Sequence, residues 1–170
     1  METHSKHFFK AEIQQSRDAQ SDLIIVCDNF STPENIGSII RLAANIDISQ
    51  VIVIGSKECR QSKVKKTAGA ALGHVHVQYC NEDSFISYIP SNYTLVALET
   101  VKGAKNIFQS ILPQKMVLVL GNEKYGVSEE VMKQCGDSVY IPMHGPIKSM
   151  NVSHAASVCL FEWLRQNMNV

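Results

Sequence analysis

The chain has 170 residues, 45% hydrophobic and 19% charged, which at roughly 150 residues per domain describes one globular domain and excludes disordered, collagen-like and coiled-coil chains. Sixteen Lys and Arg balance sixteen Asp and Glu, so overall basicity does not announce a nucleic-acid binder and any basic site must be local. No apolar run reaches the ~18–20 residues of a membrane span, Met1–Gln20 is polar rather than signal-like, and the five Cys are dispersed without a C-x-x-C pair, so a cytoplasmic protein without disulfides, metal or membrane contact is expected.

After the polar segment 1–20, runs of aliphatic and β-branched residues at 23–27, 51–54, 74–79, 93–98, 116–120 and 138–141 predict six strands. Several are apolar at both alternating positions, the mark of strands buried on two faces, and helical stretches separate most of them. The economical fold is therefore α/β, a mostly parallel six-stranded sheet flanked by helices, in a single domain over 1–170. Ile36, Ile39, Ile40, Ala43 and Ala44 form a helical stripe that leaves Arg41 off its apolar face, preceded by turn and capping residues Ser31-Thr32-Pro33-Glu34. The last helix, about 152–166, carries Val152, Ala155, Ala156, Cys159, Leu160 and Trp163 on one stripe. Val158, Phe161 and Leu164 widen that surface enough to pack on a second subunit as well as on the sheet.

The common phosphate-binding signatures are absent: neither G-x-G-x-x-G after the first strand nor G-x-x-x-x-G-K-[ST] occurs. His74 and His76, two apart on one expected strand, share a face but lack a third ligand nearby. Ser149 and Ser153 lie near His144 and His154 in sequence but in no nucleophile elbow. The segment 57–66 holds Lys57, Arg60, Lys63, Lys65 and Lys66 against Glu58, a net +4 that reads either as a solvated helix face or as a phosphate-contacting patch.

Three polar, glycine-containing clusters adjoin strand ends or helix starts: Pro33-Glu34-Asn35-Ile36-Gly37 with Arg41, Gly121-Asn122-Glu123-Lys124-Tyr125-Gly126, and Ile141-Pro142 through Lys148-Ser149-Met150-Asn151-Val152-Ser153. Singly each has a structural explanation in caps and turns. Open parallel sheets bind ligands at the carboxyl ends of their strands, so together the three can build one pocket.

Their order resembles the SpoU/TrmH branch of the SPOUT RNA methyltransferases, with N-x-G-x-x-x-R at 35–41, L-G-N-E-x-x-G-[LV]-S at 120–128 and I-P-x…S-L-N-V-S at 141–153, where Met150 stands for Leu. The resemblance spans about Leu23 to Arg165. It implies a C-terminal trefoil knot, a homodimer, and S-adenosylmethionine held around Leu98, Glu99, Thr100, Gly121, Ile141 and Met150. The implied reaction is methyl transfer to a ribose 2′-OH of tRNA or rRNA. The absence of an appended domain and the wording of 145–151 favour tRNA, and within it a D-loop guanosine.

In that family the arginine at the position of Arg41 is regarded as activating the hydroxyl; guanidinium groups are poor bases, and a phosphate clamp is an equally physical role. Asn35 would position Arg41 or the RNA, Glu123 would hold the active-site loop and could contact Arg41, within the chain or from another subunit, and Ser149 and Asn151 would organise the knot and the cofactor end. Arg60, Lys63, Lys65 and Lys66 become RNA contacts, extended by Lys102, Lys105, Lys124 and Lys148. Two alternatives stand beside this reading, a non-catalytic knotted RNA-binding dimer and a wobble-position tRNA 2′-O-methyltransferase.

Overall fold

A computed structural model describes residues 22–55 and 60–167; the polar N-terminal segment and Lys57 of the basic run lie outside the described residues. In chain order the elements are β1 (Leu23–Asp28), α1 (Pro33–Asn45), β2 (Gln50–Ile54), α2 (Gln61–Ala68), β3 (His76–Cys80), β4 (Thr94–Leu98), β5 (Lys105–Asn106), β6 (Met116–Leu120), α3 (Glu129–Gln134), β7 (Asp137–Tyr140) and α4 (Val152–Asn167). All strand pairs are parallel, and the sheet order is β3-β2-β1-β6-β4-β7-β5.

The sheet has seven strands rather than the expected six. The addition is β5, whose two residues pair with Val139 and Tyr140 of β7. A two-residue strand carries no hydrophobic period, so nothing local announces it. The third strand also begins later than expected, at His76; His74 precedes it, and the two histidines do not share a strand. Among the described residues no group of His, Cys, Asp or Glu is arranged to hold a metal ion, and no helix is long and apolar enough to cross a membrane.

The strands are apolar on both faces because both faces are covered. Leu23, Ile25 and Cys27 of β1 pack with Ile36, Ile39, Ile40 and Ala43 of α1, Val64 of α2, and Cys159, Leu160 and Trp163 of α4. Their neighbours Ile24 and Val26 face the opposite layer, with Phe85 and Val131. Both helical stripes read from the sequence therefore point into one core.

Helix α1 crosses α2 at Gly37, where a Cβ would lie 2.6 Å from Thr67 Cβ and 2.8 Å from the Val64 carbonyl oxygen. Only a hydrogen lets the two helices approach this closely. The glycine of the first motif thus fixes the position of the lysine-bearing helix.

Insertion of β6 between β1 and β4 determines the site. The chain runs outward through β2 and β3, then returns to build the other half of the sheet. In a parallel sheet every strand ends on the same edge, so the loops after β1, β4, β6 and β7 come together there.

Candidate active site

The three motif clusters are joined by one chain of hydrogen bonds. Glu123, in the loop after β6, accepts from the backbone N–H and hydroxyl of Ser31 at 2.9 and 2.7 Å, the Thr32 N–H at 3.1 Å and the Asn35 side-chain amide at 2.7 Å. Asn35 in turn accepts from the Asn151 amide at 3.0 Å. Asn151 accepts from the Ser153 N–H and hydroxyl at 2.8 and 2.7 Å, fixing which way its own amide points.

Orientation therefore propagates without ambiguity. Ser153 demands the Asn151 oxygen, Asn151 then presents its NH2 to the Asn35 oxygen, and Asn35 is left with a donor that requires an acceptor at Glu123. Asn35 is buried at the start of α1, and Thr32, the N-cap of that helix, makes no side-chain cap bond. Glu123, from another loop, accepts instead from the N–H groups of Ser31 and Thr32 just ahead of the helix, near its positive end.

Burial pushes the Glu123 carboxyl up, but the hydrogen bonds from Asn35 and from the Ser31 backbone and hydroxyl outweigh it and bring its pKa down to about 2. A carboxylate so committed is a poor proton acceptor at neutral pH. Its role is to hold the first and second motifs together.

Beside this network lies a cavity of about 420 Å³ at the carboxyl edge of the sheet. All six residues expected around a cofactor line it: Leu98, Glu99, Thr100, Gly121, Ile141 and Met150, together with Glu123, Ser149 and Asn151. Tyr140, Met143, Val152 and Ala155 also contribute. Lys148 lines the same cavity and bonds back to the Met143 carbonyl at 2.8 Å, bracing the loop after β7.

The loop after β6 is packed against itself and against its neighbours. A Cβ at Gly121 would lie 2.2 Å from both the Gly126 carbonyl carbon and the Val127 nitrogen. Gly126 has φ +73°, and a Cβ there would meet Glu99 Oε2 at 2.4 Å. Glu99 accepts from Val127 N–H at 3.1 Å and from Thr100 N–H at 2.8 Å.

Asp28, wholly buried at the end of β1, accepts from Ser128 N–H at 2.6 Å and from the Asn29 amide at 2.8 Å. The Ser128 hydroxyl bonds Glu82. Carboxylates that follow or end three strands thus hold one short loop. Sequence reasoning missed Asp28 and Glu82; the available signal for Asp28 was a charged residue closing an otherwise apolar strand.

Arg41 is placed differently. It is exposed on α1, does not line the cavity, and lies close to Gly69 at the end of α2. Within the chain neither Glu123 nor Asn35 bonds it, since the two are committed to each other. Among the described residues Arg41 has no hydrogen-bond or ion-pair partner. Lys65 and Lys66 are exposed on the adjoining α2 and Arg60 at its start, while Lys63 is paired with Glu34 at 2.7 Å.

Residues 22–161 match the model of the SpoU rRNA methylase family. The chain belongs to that family. SpoU-family relatives include the 23S rRNA (guanosine-2′-O-)-methyltransferase RlmB of Haemophilus influenzae, 30% identical over 152 residues that cover 88% of this chain and 62% of the relative. The chain thus spans about three fifths of that relative's length. Among solved SpoU structures, AviRb from Streptomyces viridochromogenes in complex with AdoMet superposes with a TM-score of 0.80 at 25% identity, covering 93% of this chain and 65% of that one. The A. aeolicus TrmH/SpoU tRNA modifying enzyme shares the fold, with a TM-score of 0.77 at 23% identity over 95% of this chain and 83% of its own.

Proposed function

We propose that this chain transfers a methyl group from S-adenosylmethionine to a ribose 2′-hydroxyl of RNA. The observation that carries the reading is the convergence of three loops, far apart in sequence, through the Glu123–Asn35–Asn151 chain onto the rim of one cavity.

The cavity suits the cofactor. Its volume lies within the ~300–1,000 Å³ of small-molecule sites. Leu98, Ile141 and Met150 supply apolar walls beside the backbone of Thr100 and Gly121, a combination that suits a nucleoside. Glu99 and Glu123 against Lys148 give the lining an acidic bias that suits a cationic sulfonium. When bound, S-adenosylmethionine supplies the electrophilic methyl group and its leaving thioether.

The chain's own residues hold and orient. Asn35, Glu123 and Asn151 lock the three loops in register, and Ser149 braces the cofactor end. Arg41, an exposed cation without a partner among the described residues, clamps a phosphate and so aligns the ribose, a contribution of position rather than proton transfer. Arg60, Lys65 and Lys66 continue the cationic surface along α2 for the RNA backbone.

We further propose that the protein works in the cytoplasm as a homodimer through α4, where Phe161 is 55% exposed, and that the chain after β6 is threaded as a trefoil knot. Ribosomal RNA is the first substrate to test, because the RlmB relatives are named for it, whereas the likeness to the tRNA-modifying enzyme is one of fold.

The test is transfer from labelled S-adenosylmethionine to unmodified rRNA and tRNA pools, followed by nuclease digestion. A 2′-O-methylated nucleotide in one pool is expected. No label in either pool, with no cofactor binding by calorimetry, overturns the reading.

A further inference from the structure

The ring of Tyr125 is 79% exposed, yet the backbone that carries it is tightly held. Asn122 Oδ1 accepts from the N–H groups of Lys124 and Tyr125 at 2.9 and 3.1 Å, and Asn122 and Gly126 exchange both backbone hydrogen bonds at 2.9 Å. Asn122 is itself tied through its amide to the Asn29 carbonyl. A closed turn thus holds a large aromatic side chain out in water, where it contributes nothing to the core.

That turn belongs to the site, since its first two residues, Asn122 and Glu123, line the cavity. The Lys124 ammonium lies over the Tyr125 ring, 5.1 Å from its centroid, a cation–π contact on one face that still leaves the ring largely exposed. Among the described residues the Tyr125 hydroxyl has no hydrogen-bond partner.

From this arrangement we propose that Tyr125 is a stacking platform for an unpaired nucleobase of the RNA substrate, with Lys124 serving the adjoining phosphate. The proposal rests on the RNA methyltransferase reading and adds to it a base-contacting residue in the variable part of the second motif. A flat aromatic next to a cation is the usual means of holding a splayed-out base, and stacking accepts any base. The neighbours Asn122, Glu123 and Lys124 are all polar, so the ring is not part of an apolar surface for docking a protein.

The test compares Tyr125→Ala, Tyr125→Phe and Tyr125→Trp. Tyr125→Ala is expected to raise the KM for RNA, and the Kd for a short fluorescein-labelled single-stranded RNA, by about tenfold, with cofactor affinity unchanged. Tyr125→Phe and Tyr125→Trp should retain tight RNA binding. In Tyr125→Trp the added indole should be quenched by RNA, while the buried Trp163, bonded to the Pro113 carbonyl, should not respond.

Equal RNA affinity in Tyr125→Ala and the parent protein, or an unquenched Tyr125→Trp, overturns the proposal. So does a change of sedimenting mass in Tyr125→Ala, which would put a second copy of the chain on the ring. If the parent protein neither transfers a methyl group nor binds the cofactor, the methyltransferase reading fails, while the quenching and RNA-binding measurements still decide whether Tyr125 stacks.

Discussion

Glu123→Gln is the sharpest test of how the site is held. The four groups facing this carboxylate are all donors, two on each oxygen. Glutamine replaces one acceptor with an NH2. The amide cannot face Asn35, whose orientation is imposed through Asn151 by Ser153, so it must oppose the Ser31 N–H, and one charge-assisted bond becomes a donor–donor conflict.

The size of the effect follows from the carboxyl pKa, brought from 4.5 to about 2. At 1.36 kcal/mol per pKa step this corresponds to roughly 3 kcal/mol, which solvent screening at an exposed group reduces to about 1–2 kcal/mol. Because the folded-state pKa is depressed, the stabilisation is fully present above pH 4.5 and is lost as pH falls towards 2.

Urea denaturation of the parent and Glu123→Gln proteins should therefore show a gap of about 1–2 kcal/mol at pH 7 that narrows steadily in acid. Equal stabilities at pH 7, or a gap that does not shrink towards pH 3, would refute the assignment of Glu123 as an ionised tie between motifs.

Three further outcomes are expected. Gly121→Ala drives a Cβ into the backbone at Gly126 and Val127, which no side-chain rotation relieves, so it should abolish S-adenosylmethionine binding in calorimetry; a normal binding isotherm would show that the loop can open. Arg41→Ala should lose methyl transfer while cofactor affinity and thermal stability stay near the parent's, since Arg41 lies outside the cavity lining; parental turnover would remove it from the mechanism. Lys65→Ala with Lys66→Ala should weaken RNA binding and lower its salt slope by up to about 2, whereas Lys63→Ala, already paired with Glu34, should have a smaller effect; equal effects in a salt titration would show that this ion pair opens on RNA.

Much of the architecture was legible because it is written in local patterns. The run 23–27 is apolar on both faces since helices cover one side of β1 and Phe85 and Val131 the other, and the stripes at 36–44 and 152–163 mark the helix faces that pack on it. The six residues that the family resemblance implied for the cofactor all line the one cavity at the carboxyl edge of the sheet, because they lie in the loops after β4, β6 and β7 or at their edges. The basic run was legible as a patch, but the Lys63–Glu34 pair within it was not, because it depends on how α2 lies across α1 at Gly37.

What the sequence by itself determined is therefore six of the seven strands, the helical faces and the loops that carry chemistry, all properties of short windows with a hydrophobic period or a turn. Tertiary structure alone decided that β6 enters between β1 and β4, and with it that Asn35 meets Glu123 88 positions away and Asn151 116 positions away. It also decided that Arg41 stands apart from both, that β5 extends the sheet, and that Asp28, Glu82 and Glu99 hold the loop at 121–128. Such contacts join polar groups across strand order, and a donor–acceptor pair separated by about a hundred residues leaves no period in the chain from which it could be read.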